Sequence, residues 1–311
     1  MPAVTVVIPL YNKRSYVGRA LDSVLQQSFR NFEVIVVDDG STDNGAEVVE
    51  SYADPRIRLI RQENRGVSVA RNNGVDRATA DFITFLDADD EWMPGQLETI
   101  SGLREKFPDA GLYATAYEIC TPDGKKRSAH YYNVPEPPWE GILADYFKTA
   151  ARGDTPVSTS AVGIPKKIFQ ELGGFPPGYW FGEDADLYGR IALKYPVAFS
   201  WHICSIYYQT TDSASKKLFS SNDQMPFIKT AQEAIKNAQV HPGIVESLNE
   251  YLFRVKIGQA RKNILAGNSR AAKNILAECE TKWNSTLKTK LLLLSMLPHP
   301  LIRLLYKLKI I

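Results

Sequence analysis

Cysteine is scarce in this sequence of 311 residues, with three cysteines at Cys120, Cys204 and Cys279 and no C-x-x-C pair. An odd number of cysteines spaced this far apart fits neither a disulfide framework nor a zinc site. The four histidines also lack the spacing of metal ligands. The expectation is a reducing, cytoplasmic environment.

Long hydrophobic runs are absent as well. No stretch reaches the roughly 18 apolar residues that suggest a transmembrane helix, and the nearest one, 291–302, is interrupted by Pro298 and Pro300. The apolar start of the chain, residues 1–10, lacks the basic residues and the cleavage site of a signal peptide. We therefore expect a first β-strand there and no membrane-spanning segment.

Several common nucleotide-binding and catalytic signatures are missing too. There is no G-x-G-x-x-G after the first predicted strand, no P-loop lysine motif and no G-x-S-x-G. Dinucleotide binding of the Rossmann type, Walker-type NTP binding and the serine hydrolases that carry G-x-S-x-G are therefore disfavoured.

A surplus of charge is also lacking, because 37 basic residues face 35 acidic ones for a net charge of +2. This balance argues against a general nucleic-acid binder. The average conceals an asymmetry, since residues 281–311 hold six basic residues and no acidic one, which leaves 31 basic and 35 acidic residues in 1–280.

The basic end of the chain is also apolar, reading LIRLLYKLKII over residues 301–311. One interpretation is an interfacial segment on anionic lipid, so that residues 290–311 make a peripheral contact with the cytoplasmic face of the inner membrane. The other is a C-terminal helix that packs on its own domain or on a second subunit.

Strand and helix patterns alternate through the first ninety residues. Continuous β-branched runs such as Val4–Ile8 and Val34–Val37 predict buried strands. Apolar residues at helical spacing follow the first run, with Ser15 placed as the N-cap. The order β-α-β-α-β-α-β predicts an α/β fold with a mostly parallel central sheet flanked by helices. Further along the pattern becomes helical, and we place a domain boundary near residue 215, between 1–215 and 216–311.

Acidic residues follow two of the predicted strands, at the edge where ligands of such sheets bind. Asp87, Asp89 and Asp90 come directly after residues 82–86 and can converge on one Mg²⁺ or Mn²⁺, since these ions take oxygen ligands. The alternative is a solvated acidic turn that caps the helix near Gln96.

Asp38 and Asp39 follow the second strand, where a carboxylate can accept hydrogen bonds from a base or a ribose. The alternative is N-capping of the next helix by one of residues 41–43. Arg65 and Arg71 lie on or before one helix, and a helix N-terminus with arginine suits a diphosphate. Their alternative is a solvated helix face.

Glu183 and Asp184 open a predicted helix directly after an aromatic loop. Partial desolvation by neighbouring rings could raise the pKa of such a carboxyl, which makes it a candidate general base. The rings, Trp180 among them, offer faces on which a sugar can stack. The alternative is helix capping by acids in the first turn.

Taken in order, these segments resemble the family 2 glycosyltransferases, which are inverting enzymes with the GT-A fold. The resemblance covers about residues 3–212. The matching stretches are 6–12 (VVIPLYN), 37–43 (VDDGSTD), 64–66 (NRG) with 70–72 (ARN), 85–90 (FLDADD), and 173–175 (GGF) followed by 182–184 (GED).

The resemblance implies a nucleotide site built from the first three stretches. Pro9, Tyr11 and Asp39 would hold the nucleotide base. Arg71 would lie near the nucleotide. Uridine diphosphate is the usual leaving group in the family, so a UDP-sugar donor is expected.

The later stretches imply the reaction centre. Asp87 and Asp89 would hold ribose, diphosphate and a Mg²⁺ or Mn²⁺ ion, with Asp89 as the metal ligand. Asp184 matches the catalytic base, and Glu183 and Trp180 are candidate contacts of the sugar or acceptor. The family often carries Arg and His after a later Tyr. Residues 207–213 contain neither, so no third metal ligand is implied there.

The expected protein is a glycosyltransferase of the hexosyltransferase type, acting on a glycan or polyprenyl-linked acceptor in bacterial surface polysaccharide biosynthesis. One alternative is a sugar-phosphate nucleotidyltransferase, which normally has a Gly-rich basic loop after the first strand that residues 12–14 do not match. The other is a catalytically inactive scaffold that binds a sugar nucleotide, against which the presence of all the expected acids argues.

Overall fold

The β-branched runs near the N-terminus form one half of a central sheet. The computed structural model describes residues 1–179, 181–209 and 225–308. Four parallel strands lie in the order β3-β2-β1-β4, and they are β1 (Val4–Leu10), β2 (Phe32–Asp38), β3 (Ile57–Arg61) and β4 (Phe82–Phe85). The helices that connect them are α1 (Arg14–Leu25), α2 (Gly45–Glu50) and α3 (Val67–Arg77).

The two faces of β1 pack against different helices. Val6 and Ile8 lie in one hydrophobic cluster with Leu21 of α1, whereas Val7 lies in another with residues of α3. Gly74 allows α3 to approach the sheet closely, because a Cβ at this position would lie 2.4 Å from Val7 Cγ1. Burial on both faces explains why apolar residues are not confined to alternate positions of the strand, where Thr5 is the one polar residue.

The second half of the sheet mixes strand directions. Its strands are β5 (Glu91–Trp92), β6 (Leu112–Cys120), β7 (Lys126–Ser128), β8 (Glu140–Ile142), β9 (Val162–Pro165) and β10 (Val197–Tyr208), and its helices are α4 (Gln96–Lys106), α5 (Tyr146–Arg152), α6 (Lys166–Glu171) and α7 (Glu183–Lys194). The full order is β3-β2-β1-β4-β9-β6-β10-β5. The short β9 runs antiparallel to both of its neighbours, while β6 and β10 pair in parallel. The predicted mostly parallel sheet with flanking helices is confirmed.

The C-terminal part is helical, with α8 (Pro226–Lys236), α9 (Val245–Leu265), α10 (Ser269–Ala277), α11 (Ser285–Leu294) and α12 (His299–Lys307). The first half of α9 packs into the main core, where the Tyr251 and Phe147 rings lie 5.8 Å apart. Its second half holds a separate core with the last three helices, around Ala260, Leu276 and Ile302. The predicted boundary near residue 215 lies outside the described residues.

A buried carboxylate fixes the start of α11 to α9. Glu250 is 1% exposed. It accepts hydrogen bonds from Thr281 Oγ1 (2.6 Å), the Lys282 N–H, the Trp283 N–H (2.8 Å) and Asn284 Nδ2 (3.1 Å). The four donors stabilise a buried charge that would otherwise cost free energy. The turn before α11 is therefore held in a fixed position against α9.

The prediction that Ser15 caps α1 is wrong. The helix begins at Arg14, with Lys13 at the N-cap position and no side-chain cap. The Arg14 N–H instead donates to Asp43 Oδ2 (2.8 Å), and Asp43 Oδ1 accepts from the Gly45 N–H at the start of α2 (2.9 Å). One carboxylate thus serves the first turns of two helices. The N-cap position of α2 is nevertheless held by Asn44, not by one of residues 41–43.

The three cysteines, Cys120, Cys204 and Cys279, are buried and unpaired. Among the helices of residues 1–179, 181–209 and 225–308, none is both long and apolar enough to cross a bilayer.

Candidate active site

The predicted donor-side residues lie at one edge of the sheet, where β1, β2 and β4 end. Pro9 lies within β1, and the register places Leu10 beside Asp38. The Asp39 N–H donates to the Leu10 carbonyl oxygen (2.8 Å). On the other side of β1, β4 leads within two residues to Asp87. The topology therefore brings the donor-side candidates together.

The buried carboxylate of Asp39 organises the loop after β3. It accepts hydrogen bonds from Gln62 Nε2 (2.7 Å), the Arg65 N–H (2.9 Å) and the Gly66 N–H (2.8 Å). Asn73 of α3 donates in turn to Gln62 Oε1 (2.7 Å). Asp39 thus holds the NRG stretch in position. The sequence did not predict this contact, because it joins residues far apart in the chain. No sequence pattern marked Gln62 as part of the site.

The loops after β1 and β2 are joined through Asn12. Its left-handed backbone (φ 51°) places Oδ1 to accept from the Thr42 N–H (2.8 Å), while the Asn12 N–H donates to Ser41 Oγ (3.1 Å). Tyr11 is 48% exposed beside this junction. Its ring therefore has a free face at the edge where the base was predicted to bind.

Arg71 links the two sides of the site. Its buried guanidinium donates to Asp87 Oδ1 (2.7 Å) and to Glu183 Oε1 (2.9 Å), and it lies 5.1 Å from the Phe175 ring centroid. Burial opposes its charge, but the two carboxylates outweigh burial and raise the pKa of Arg71 above its ordinary value. The guanidinium stays charged and fixes α3 between the end of β4 and the start of α7.

Glu183 and Asp184 open α7, and their partners differ. Glu183 is occupied by Arg71, and burial followed by the charge of Asp184 raises its pKa. The half-buried Asp184 accepts from the Ala185 N–H (2.7 Å). Burial raises the pKa of Asp184 against the lowering effect of Arg71. Of the two acids, Asp184 has the carboxyl that is free of an ion pair and partly desolvated, as a general base requires.

Three buried tyrosines interact electrostatically with the candidate base. Besides burial, the charge of Asp184 contributes to the raised pKa of Tyr146 in α5, Tyr188 in α7 and Tyr251 in α9. The Tyr188 hydroxyl donates to Thr159 Oγ1 (3.1 Å). The charge of the candidate base therefore acts on a residue of the C-terminal helices, Tyr251, which the sequence did not indicate.

Asn72 ties the loop before α7 to α3. Its Nδ2 donates to the Phe175 carbonyl oxygen (2.8 Å), and its Oδ1 accepts from the Phe175 N–H (2.9 Å). Gly174 adopts φ 66°, and a Cβ there would lie 2.7 Å from Asn72 Oδ1. The ARN stretch therefore contributes in two ways. Arg71 forms ion pairs with Asp87 and Glu183, and Asn72 holds the GGF loop in position.

The acidic residues after β4 take separate partners. Asp87 pairs with Arg71, and Asp89 Oδ2 accepts from Lys13 Nζ (2.6 Å). Asp90 is 1% exposed, and burial, then Asp87 and Asp89, raises its pKa well above the ordinary value. It accepts from Ser160 Oγ (2.5 Å) and from the backbone N–H of residue 208 (2.9 Å). α4 has no side-chain cap, so the alternative of an acidic turn capping that helix is wrong.

The residues after β4 fit a divalent cation with few protein ligands. No group of three or more His, Cys, Asp or Glu side chains is arranged to hold a metal within the described ranges. The ammonium group of Lys13 nevertheless shows that a cation can lie against Asp89. The atoms that would ligate a metal there are carboxylate oxygens, which are hard ligands. Mg²⁺ is often bound through one or two carboxylates plus substrate phosphates and water, so Asp89, with Asp87 beside it, suits such an ion.

Trp180, the predicted sugar or acceptor contact, lies outside the described residues.

Comparison with known proteins places this chain in a family. The family described as Glycosyl transferase family 2 matches residues 5–173, just over half of the chain. An uncharacterized glycosyltransferase from Nostoc sp. is 27% identical over 270 residues, covering 85% of this chain and 80% of the Nostoc protein. Other curated glycosyltransferases match over shorter stretches, and the chain spans 14% of GlyA from Streptococcus pneumoniae.

Two solved structures share the fold. S. aureus TarS 1–349 in complex with UDP-GlcNAc gives a TM-score of 0.70 at 18% identity, covering 90% of this chain and 82% of that one. The mannosyltransferase PcManGT from Pyrobaculum calidifontis, in complex with GDP-Man and Mn²⁺, gives 0.62 at 20% identity, covering 93% and 79%. The sheet and its flanking helices are of the GT-A type, and the chain belongs to glycosyl transferase family 2 and is a glycosyltransferase.

Proposed function

We propose that this protein transfers a sugar from a nucleotide-diphosphate sugar, with UDP favoured, to a hydroxyl group of a glycan or polyprenyl-linked acceptor, with inversion at the anomeric carbon. The observation that carries the proposal is the bridge made by Arg71 between Asp87 on the donor side and Glu183 beside Asp184. The UDP-GlcNAc bound by TarS supports the choice of nucleotide.

Asp184 is the proposed general base. It takes the proton of the acceptor hydroxyl while the hydroxyl oxygen bonds to the anomeric carbon from the face opposite the nucleotide. The bond from that carbon to the diphosphate oxygen breaks, and its electron pair leaves with the nucleotide diphosphate. An α-linked donor then gives a β-linked product.

The donor site is proposed to form at the edge of β1, β2 and β4. The exposed Tyr11 ring and Pro9 contact the base, and Asp39 holds the loop that borders it. Asp87 accepts from the ribose while its ion pair with Arg71 holds the Asp87 carboxylate in place.

Asp89 is the proposed ligand of a Mg²⁺ or Mn²⁺ ion. Such an ion neutralises charge on a diphosphate leaving group when it is bound. The Mn²⁺ bound by PcManGT, which shares the fold, supports this assignment.

The decisive test replaces the base and keeps its shape. Asp184→Asn should lower the transfer rate by about 10²–10⁴. It should leave donor binding unchanged, because the proposed nucleotide site lies at the ends of β1, β2 and β4 and not on α7. Transfer would be measured with UDP-, GDP- and dTDP-sugars in Mn²⁺, and binding by the ligand-induced rise in melting temperature.

The exposed Asp76 of α3 provides the control, since Asp76→Asn removes a similar charge and should change neither quantity. Full transfer by Asp184→Asn contradicts the proposed base. A wild-type protein that binds donor and never turns over supports the inactive scaffold instead.

We also propose that the tail surface, defined as the exposed apolar and basic side chains of residues 290–308, rests on an anionic membrane. Six of the eleven most exposed large hydrophobic side chains in the described part of the chain lie there, namely Leu293, Met296, Leu301, Leu304, Tyr306 and Leu308. Such clustering marks an interaction surface rather than ordinary scatter.

The charge of the tail surface favours anionic lipid as its partner. Lys290, Arg303 and Lys307 are exposed among the apolar residues, and the tail has no acid. α12 does pack on its own domain, since Ile302 is fully buried and His299 Nε2 lies 2.9 Å from the Leu265 carbonyl oxygen, yet its other side stays open. Docking at the cytoplasmic face of the inner membrane would bring the active site to lipid-linked acceptors of surface polysaccharide synthesis.

A further inference from the structure

The ammonium group of Lys13 lies at the candidate cation site. Lys13 Nζ is 2.6 Å from Asp89 Oδ2, and the two side chains are 22% and 19% exposed. Lys13 directly precedes α1, so this contact joins the loop after β1 to the loop after β4 across 76 positions of sequence. Asp87 and Asp90 already have other partners, which leaves Asp89 as the acid that Lys13 neutralises.

A second basic residue holds the backbone at the same place. The Arg19 guanidinium donates to the Asp89 carbonyl oxygen and lies 3.8 Å from the Tyr208 ring centroid. Arg19 is therefore fixed between an aromatic ring and the main chain. Lys13 has a flexible stem and one carboxylate partner, and its Nζ lies 5.5 Å from the Tyr16 ring centroid, farther than Arg19 from its ring. Its ammonium can therefore move while Asp89 stays in position.

A divalent cation and the Lys13 ammonium compete for Asp89. Two positive charges a few ångströms apart repel each other strongly when they are partly shielded from water. A cation that binds Asp89 must therefore displace Lys13, whose charge then lacks a partner. The diphosphate of a donor, bound to that cation, would supply a new anionic partner within reach.

We propose that Lys13 is a resident counter-ion of Asp89 that makes cation binding depend on the nucleotide diphosphate. This inference rests on the proposed donor site. Without nucleotide, Lys13 weakens cation binding by occupying the carboxylate; with nucleotide, the displaced ammonium contacts the diphosphate and strengthens the complex. The coupling is reciprocal, so the cation and the nucleotide each raise the affinity of the other.

The test measures Mn²⁺ binding from the electron paramagnetic resonance signal of free Mn²⁺, with and without UDP. Lys13→Met should bind Mn²⁺ alone about three- to tenfold more tightly than the wild type. This factor corresponds to the free energy of the one ion pair that Mn²⁺ must break in the wild type. The tightening produced by UDP should shrink in this variant, because the displaced charge is gone.

Arg14→Met is the matched control, since it removes an exposed positive charge one position away and should leave Mn²⁺ affinity unchanged. Equal affinities of Lys13→Met and the wild type overturn the inference, as does the same tightening in Arg14→Met, which would indicate a general charge effect. Absence of Mn²⁺ binding in every variant with UDP present also overturns it. That result does not bear on the role of Asp184, which the transfer assay of Asp184→Asn tests separately.

Discussion

At the scale of single residues, the charge of Asp184 is set by competing neighbours. Burial raises its pKa, the Arg71 charge lowers it and the Asp87 charge raises it. The net direction is upward, which brings the carboxyl closer to the pH at which a base both accepts and releases a proton readily. Arg71 limits the shift, because its positive charge favours the ionised form of the Asp184 carboxyl.

This balance predicts the pH dependence of transfer. The base must be deprotonated to act, so kcat/KM should fall as the pH drops through the raised pKa of Asp184. The acidic limb should therefore lie above the ordinary aspartate value of about 4. The measurement is kcat/KM across the acid range, with circular dichroism at each pH to show that the protein stays folded. A limb at the ordinary aspartate value would contradict the assignment of Asp184.

Candidate residues were predictable where their pattern is local. The pair Glu183 and Asp184 could be identified because acids at a helix start next to aromatic residues form a contiguous pattern. The choice of Asp184 as the base came from the family resemblance and stays a prediction. The loop-holding contacts of Asp39 and the ion pair of Lys13 with Asp89 join segments 23 to 76 positions apart. Such pairs depend on the sheet order, which one sequence does not reveal.

At the scale of elements, the connection from α3 to the loop before α7 controls where the base lies. Asn72→Ala removes both hydrogen bonds to Phe175 and should lower the free energy of unfolding by about 1–3 kcal/mol, since buried backbone groups lose their partner. Transfer should also fall, because the loop that carries the start of α7 is no longer fixed. Urea denaturation and kcat measure the two effects.

Asp76→Ala serves here as the control on the same helix, because Asp76 is exposed. Gly174→Ala should reproduce the loss, since the new methyl group would meet Asn72 Oδ1. The two changes break one connection, so their effects on stability should not add. Fully additive losses would show that Asn72 and Gly174 act separately.

Strands and helices were predictable because burial on both faces leaves a continuous apolar run and amphipathic helices leave a 3.6-residue period. The placement of β9 between β4 and β6 was not, because its direction depends on partners far away in sequence. The error at Ser15 has a similar origin. A serine near a helix start is a local signal, but Asp43 reaches the Arg14 N–H from another loop.

At the scale of the whole molecule, the tail surface can be tested through its charge. The structure argues against deleting residues 290–311, since Leu291 and Ile302 are buried in the C-terminal core. Replacing Lys290, Arg303 and Lys307 by Gln should instead weaken binding to vesicles containing phosphatidylglycerol by about a hundredfold, at about 1 kcal/mol per charge. Co-sedimentation with phosphatidylglycerol and with phosphatidylcholine vesicles gives the comparison.

A matched variant replaces three lysines that are exposed outside the tail surface, Lys125, Lys126 and Lys236, by Gln. It should bind vesicles as the wild type does. Equal binding of the tail variant and the wild type would contradict the membrane proposal. A concentration-dependent dimer that buries the tail surface would show that a second copy covers it.

The four hydrogen bonds to Glu250 have a mechanical consequence. They fix residues 281–284 to α9, and α9 is itself held against α5, where Arg254 donates to the Ala150 carbonyl oxygen (2.7 Å). The protein would therefore meet a surface as a rigid body in one orientation, not as a catalytic unit that tumbles on a tether. The direction in which the catalytic edge faces would then decide which surface-bound acceptors it can reach.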